Sequence, residues 1–178
     1  MKDLSLFLLD IAENSVTAGA KLIQIELLEA DGFITLRIED DGCGMSPEFL
    51  ARVTDPFTTT RTTRKVGMGI PLLKMTAEQT GGSFSIRSEE GVGTCTTARF
   101  VLGSLDTPPT GDTASSLITL IQGNSEPDFL YTRAANGRSF TLDTRQLREV
   151  MDPVPLSEPE VLAWIRDYLM QQEAALYE

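Results

Sequence analysis

The sequence predicts an α/β fold on three observations. Alternating apolar and polar residues over 22–40 read as two strands meeting at a turn. Apolar residues at helical spacing flank that hairpin on both sides. Strands and capped helices then return after a stretch rich in Ser, Thr, Pro and Gly, "GSLDTPPTGDTASS".

The first element reads as a helix whose apolar face is Leu4, Leu8, Ile11 and Ser15. Asp10 and Asn14 stand one above the other on a neighbouring stripe, so that side faces either water or a ligand. In "KLIQIELLEADGFITLRIED" two strands join at Asp31-Gly32. Ile34, Leu36 and Ile38 share one face, and Asp40 has the same parity. "SPEFLARV" is a short helix capped by Ser46 with Pro47 at its first position. "TTTRTTRK" is a polar loop carrying three cations, and "IPLLKMTAEQTGG" a helix closed by Gly81-Gly82. "SFSIRSEEGVGTCTTARFVL" is a hairpin with a glycine turn. The expected organisation is a domain over 1–103, a linker over 104–115 and a C-terminal α+β extension over 116–178. In the extension "LITLIQG", "DFLYTRA" and "RSFTLDT" read as strands, the last two joined by Asn136-Gly137. Two helices follow, one starting at Asp143 with Gln146 placed for a capping box, the other at Ser157 with Glu160 in the same relation.

Composition narrows the function. A chain of 178 residues with 41% hydrophobic and 23% charged residues is an ordinary globular protein. No apolar run approaches the roughly 20 residues of a membrane span. The apolar start is too short for a signal peptide, so a cytoplasmic location is expected. Cys43 and Cys95 form no disulfide framework or zinc pattern. Histidine is absent, which excludes a His-based triad and a phosphohistidine on this chain. A net charge of −11 argues against nucleic acid or an anionic membrane as partner. From residue 104 onward 12 acids face 5 arginines, and no lysine follows Lys74.

Three GxG turns recur, at Gly42-Cys43-Gly44, Gly67-Met68-Gly69 and Gly91-Val92-Gly93. A dinucleotide fold needs a further glycine three residues on, where Pro47, Leu72 and Thr96 stand instead, and GxxxxGK[ST] is absent. The glycines either make turns or let backbone approach a ligand. Asp40, continuing an inward-facing stripe, needs a donor, because an unpaired buried carboxylate is costly. The exocyclic amine of adenine is suitable; escape of Asp40 into the turn is the plainer alternative.

This pattern resembles the GHKL ATPases: DNA gyrase, the ninety-kilodalton heat-shock chaperone, histidine kinases and MutL. The motifs stand in the family's order over about residues 1–103. "DIAENSVTAGA" is similar to MutL's first motif, which implies Asn14 as magnesium ligand and Asp10 as the water-activating acid. "DDGCGM" implies Asp40 on the adenine amine, Gly42 and Gly44 admitting the ring, and Met45 lining it. "DPFTTT" looks like the segment leading into the ATP lid of histidine kinases, with Phe57 at its aromatic position. "GMGIPLLK" resembles the lid's glycine motif and the helix start after it, where backbone N–H groups meet phosphates. "GVGTCT" implies Thr94 near the base. The resemblance further implies a nucleotide-binding role for Ala18, Val66, Gly67, Met68, Gly69 and Ile70. It implies a Bergerat-type two-layer sandwich, a mixed sheet with helices on one face and ATP or ADP with magnesium between them.

The family ATPases usually carry Glu where Asp10 stands, which shortens the reach to an attacking water by one methylene. MutL has an acid at the position of Thr17. With no histidine and no helical hairpin to carry one, a phosphoryl acceptor is water or another protein. The whole chain also resembles small stand-alone GHKL proteins encoded beside [FeFe]-hydrogenase subunit genes, which implies a hydrogenase-associated or signalling partner; a homodimer stays open.

Other features have plain readings beside functional ones. Arg61, Arg64 and Lys65 neutralise phosphate or form a solvated loop. Lys74 reads as a surface lysine, the Thr-rich loop as polar or as a phosphorylation site, and Cys43 as a small buried residue. Trp164 and Tyr168 pack on the extension's own strands or meet a partner. The expected function is a slow ATPase, acting as nucleotide switch or phosphoryl donor in trans. The alternatives are a protein Ser/Thr kinase of the anti-sigma type and a non-catalytic nucleotide-sensing module.

Overall fold

The computed structural model describes residues 3–55 and 66–178, with residues 66–68 as backbone only. Its described elements run α1 (Leu4–Thr17), β1 (Leu22–Ala30), β2 (Phe33–Asp40), α2 (Pro47–Arg52), α3 (Val66–Gln79), β3 (Ser83–Glu89) and β4 (Gly93–Val101). They continue with α4 (Thr113–Gly123), β5 (Asp128–Ala135), β6 (Arg138–Asp143), α5 (Thr144–Met151) and α6 (Pro159–Ala175). All six strands form one sheet in the order β3-β4-β2-β1-β5-β6, antiparallel except for the β1–β5 pair. The expected α/β sandwich is therefore present.

Alternation decides which side of the sheet is covered. Ile25 pairs with Ile38 and Leu27 with Leu36 across β1–β2, and all four are buried. Their stripe continues onto β4 through Ala98 and Phe100, and onto β5 through Phe129 and Tyr131. α1 and α3 lie on this face, α4 lies beside α1, and α6 lies beside α4. Gln24, Glu26, Arg37 and Glu39 occupy the opposite face, half-buried. Asp31-Gly32 and Asn136-Gly137 both take positive φ at the two central positions, the conformation whose twist matches a two-residue hairpin.

The covered face also holds a cation. Arg133 is the register partner of Leu27 in the β1–β5 ladder and is fully buried. It pairs with Glu29 and Glu173, each at 2.9 Å, and donates to the Tyr177 hydroxyl oxygen at 2.7 Å. Through this cluster the end of α6 is tied to β1 and β5.

Four expectations are corrected. "LITLIQG" is helix, not strand: α4 starts at Thr113, capped by Asp112, which accepts from the Ser115 N–H at 3.0 Å. Leu117, Ile118, Leu120 and Ile121 are all buried, a spacing of one, three and four that a helix packed between α1 and α6 satisfies. The β-branched residues in a short apolar run mimicked a strand. α3 begins earlier than expected, at Val66, so the glycine motif is its first turn rather than a loop before it, and Pro71 lies inside the helix. α6 is not capped by Ser157; Glu158 is the cap residue, makes no side-chain cap bond, and is followed by Pro159 at the first position. Asp143 does cap α5, but accepts from the Arg145 N–H rather than from the Gln146 position a capping box uses.

The stretch between β4 and α4 carries no helix or strand and lies against the start of α1. Pro109 and Thr110 carbonyls accept from the Leu4 and Ser5 N–H groups at 2.9 Å each. These are first-turn donors that the helix itself leaves unsatisfied. Asp3 caps the same turn through the Leu6 N–H.

Removing Arg133 alone leaves two carboxylates facing each other on the covered side. Arg133→Ala should destabilise by about 3 kcal/mol, the low end for breaking a buried pair because both glutamates keep some solvent. Arg133→Met, which fills the volume, should cost less. Urea denaturation of the two variants measures the difference.

Candidate functional site

Five segments meet at one end of the sheet: the last two turns of α1, the end of β2, the turn 41–45, the first turn of α3, and the start of β4. α1 brings Asp10 and Asn14 because their stripe lies beside the buried face of Leu4, Leu8, Ile11 and Ser15. Neither stripe residue is fully solvated. Asp10 Oδ2 and Asn14 Nδ2 are both buried, and neither has a hydrogen-bond partner among the described residues. Burial raises the Asp10 pKa, and the nearby Glu13 charge adds to the rise.

α3 closes over this stripe at Gly69. A Cβ built there would fall on the Asp10 carboxylate, so only glycine lets the helix approach so closely. Ile70, the next residue, is buried in the core. Val66, Gly67 and Met68 belong to the same first turn by backbone.

Asp40 ends β2 on the covered face, as its parity predicts. It is not partnerless. Ser15 donates its hydroxyl to Oδ2 at 2.5 Å, and the Gly42 N–H donates to Oδ1 at 2.9 Å. Thr94 stands directly opposite Asp40 in the β2–β4 ladder. Its hydroxyl lies 2.8 Å from that of Ser88, which also accepts the Met45 N–H at 2.8 Å. Met45 packs, partly buried, against the core.

The turn glycines have neighbours within the chain. A Cβ at Gly44 would strike the Glu89 carbonyl, and one at Gly42 would meet Ala18 Cβ at 2.8 Å. Ala18, at the end of α1, also accepts the Cys43 N–H at 2.9 Å. The turn is thus seated between α1 and the β3–β4 hairpin. Asp41 secures it further, accepting the Lys21 and Leu22 N–H groups at 2.7 and 3.0 Å. The Leu22 bond is the main reason its pKa is lowered. Cys43 is exposed, not the small buried residue expected.

The structure therefore brings together Asp10, Asn14, Ala18, Asp40, Gly42, Gly44, Met45, Gly69, Ile70 and Thr94. Phe57, Arg61, Arg64 and Lys65, with the lid segment that holds them, lie outside the described residues. Lys74 pairs with Glu78 one turn on at 2.9 Å, as a surface lysine does. Trp164 and Tyr168 stack at 5.5 Å between ring centres, and Tyr168 meets Phe140 of β6 edge-on, so Tyr168 packs on the extension's own strand while Trp164 stays exposed. Sequence reasoning missed Ser15, Ser88 and Asp41 as supporting residues. Ser15 carried a usable signal: a hydroxyl in an otherwise apolar helix stripe must find a partner.

The donor set suits a magnesium ion, which takes oxygen ligands and keeps several waters. The Asn14 amide can turn to offer its oxygen where Nδ2 now stands. Among the described residues no group of three or more His, Cys, Asp or Glu could hold a metal alone. A metal at Asn14 would thus complete its shell from phosphate and water.

Comparison with known proteins decides the family. The model described as "Histidine kinase-, DNA gyrase B-, and HSP90-like ATPase" matches residues 2–104, more than half of the chain. The chain belongs to this family. It accordingly carries an ATP-binding domain of the histidine-kinase-like type. The "Probable C4-dicarboxylate sensor kinase" of Bacillus subtilis (strain 168) is 31% identical over 81 residues, 46% of this chain and 15% of that protein. The "Sensor kinase CckA" of Brucella abortus (strain 2308) is 37% identical over 77 residues, 43% of this chain and 8% of that protein. The chain spans less than a sixth of the length of either relative. Among solved structures, the "Crystal Structure of N terminal domain of a DNA repair protein" aligns at a TM-score of 0.57 with 13% identity. It covers 86% of this chain and 58% of that one, a likeness of fold. No helix among the described residues is long and apolar enough to cross a membrane.

The raised Asp10 pKa has a stability consequence. Folding disfavours the ionised carboxylate, so its charge costs stability above the raised pKa and costs none below the usual value of 3.8. Asp10→Asn should melt higher than native near neutral pH, and the gap should close as the pH falls below 3.8. Thermal melts of both proteins across the acid range, without nucleotide, measure this.

Proposed function

We infer that this protein binds ATP with magnesium between α1 and α3 and turns it over slowly, as a nucleotide switch or as phosphoryl donor to another protein. The observation carrying this reading is the pair of buried polar atoms on Asp10 and Asn14 that have no partner among the described residues, one helical turn apart beneath the first turn of α3. Native structures rarely leave such atoms unpaired without a ligand to take them.

In this reading Asp40 accepts from the adenine amine, Met45 and Ile70 flank the ring, and Thr94 stands beside the base. Ala18 and the Gly42–Gly44 turn form the wall behind it. The N–H groups of residues 66–69 face the phosphates, as free donors at a helix start do. Asn14 holds magnesium, which when bound would neutralise phosphate charge and orient the γ-phosphoryl group. Phe57, Arg61 and Lys65 are assigned to the lid by sequence resemblance alone.

Asp10 then acts as base. A water oxygen bonds to the γ-phosphorus, the bond to the bridging oxygen of ADP breaks, and the water proton passes to Asp10. Its raised pKa makes it a stronger base than an exposed aspartate. Its short side chain leaves the water to be reached through favourable placement or one bridging water, which fits slow turnover. A protein hydroxyl can take the place of water, which is the anti-sigma-type kinase reading. The absence of histidine from the 178 residues favours such an acceptor, or water, over a phosphohistidine on this sequence. A hydrogenase-associated or signalling partner rests on sequence resemblance, and a pull-down with and without ATP tests it.

Binding and turnover should separate by residue. Asp40→Ala should lose roughly ten- to a hundred-fold in ATP affinity, the cost of a charge-assisted hydrogen bond. Asn14→Ala should weaken the magnesium-dependent part of binding. Asp10→Ala should bind ATP with magnesium yet lose slow hydrolysis or transfer. Calorimetric titrations beside a long ATPase time course measure all three. Native-like hydrolysis by Asp10→Ala removes it as base and moves the nucleotide-sensing module ahead.

A further inference from the structure

Gly69 lies buried in the first turn of α3. Unlike Gly44, whose φ is positive, it is not required by its own backbone. Glycine inside a helix costs stability against alanine, because it gives up more backbone freedom on folding. A helical glycine with no conformational reason must have a steric one.

That reason is a single side chain. A Cβ on Gly69 would fall on Asp10 Oδ2, with Asp10 Cγ at 2.9 Å. Among the described residues the next nearest atom is Ile11 Cδ1 at 3.7 Å, an ordinary van der Waals contact. With the Asp10 carboxylate removed, the space would take a methyl group. The gap between α1 and α3 is thus set at this point by the length of an aspartate.

We propose that Gly69 is a positioning residue for Asp10: carrying no side chain, it lets the first turn of α3 come down onto the carboxylate and so sets the distance between the acid and a phosphoryl group held by that turn. The inference rests on the reading of Asp10 as base and of residues 66–69 as the phosphate-facing turn. Phosphate held on backbone N–H groups moves with the helix that carries them. A side chain at position 69 pushes that turn outward, and the phosphate goes with it. ATP is still held, but Asp10 no longer meets the water beside the phosphorus. Rate is more sensitive to such a shift than binding is, since a displacement of about 1 Å can cost about a hundred-fold in turnover.

The test is a cycle of four proteins: native, Gly69→Ala, Asp10→Ala and the double variant. Without nucleotide, Gly69→Ala should melt below native, because its Cβ meets the carboxylate. In the Asp10→Ala background the same substitution should melt level with its parent or above it, because the obstacle is gone and alanine suits a helix better. With ATP and magnesium, Gly69→Ala should turn over about a hundred-fold more slowly at saturating ATP, with KM unchanged. Asp10→Glu presses on α3 from the other side, should show the same split, and serves if Gly69→Ala does not fold. Native turnover in a folded Gly69→Ala or in Asp10→Glu overturns the proposal. So does a double variant that loses as much melting temperature to the alanine as native does. A raised KM with kcat unchanged also overturns it and leaves Gly69 as a phosphate contact alone. Native protein that binds ATP without turning it over overturns the reading of Asp10 as base, and the proposal with it.

Discussion

Asp40 ends β2 on the same side of the sheet as Ile34, Leu36 and Ile38, and a carboxylate among such neighbours must be met by donors. Much of the surrounding architecture follows from meeting it. α1 places Ser15, not a longer or apolar residue, where its buried face passes the strand end. The chain turns sharply enough after Asp41 for the Gly42 N–H to point back at the carboxylate. β4 comes alongside at Gly93, where a Cβ would strike the Asp40 carbonyl, so the neighbouring strand also starts on a glycine. The end of β2 thus sets sequence requirements on its neighbours, through the Asp40 side chain for the helix and the turn and through the Asp40 backbone carbonyl for the strand.

The polar stripe of α1 shows the opposite logic. Asp40 has its donors supplied by the protein, whereas among the described residues Asp10 Oδ2 finds no donor and Asn14 Nδ2 no acceptor. The close approach of Gly69 shields Asp10 from water without offering it a proton. Such an arrangement spends stability, as the raised Asp10 pKa shows, and sites that hold ligands characteristically do so.

The sheet from β1 to β4 was legible because two-residue periodicity and turn dipeptides agree there, with Asp31-Gly32 setting both hairpin and register. The same holds for β5 and β6 around Asn136-Gly137. α4 was not legible: Leu117 to Ile121 suits either period, and only burial against α1 and α6 selects the helix. The parallel pairing of β5 with β1 has no local sequence signal, since it joins residues a hundred positions apart. At the site, Asp10, Asn14 and Asp40 could be singled out by polarity at positions where apolar residues were due. The glycines could be noticed but not explained. Resemblance gave them to the ligand, while Gly42, Gly44 and Gly69 are each required by a neighbouring part of the chain.

The β1–β5 pairing bears on how the chain can be divided. The family model ends at residue 104, and a cut there looks natural from sequence. Such a fragment would keep Asp10, Asn14, Asp40 and Thr94 but strip β1 of its parallel neighbour, leaving a row of bare N–H and C=O groups along a nine-residue strand. It would also remove the Pro109 and Thr110 carbonyls from the first turn of α1 and uncover the helix flank on which α4 lies. The smallest piece that holds the site-bearing residues therefore bares a strand edge and a helix flank that the rest of the chain covers.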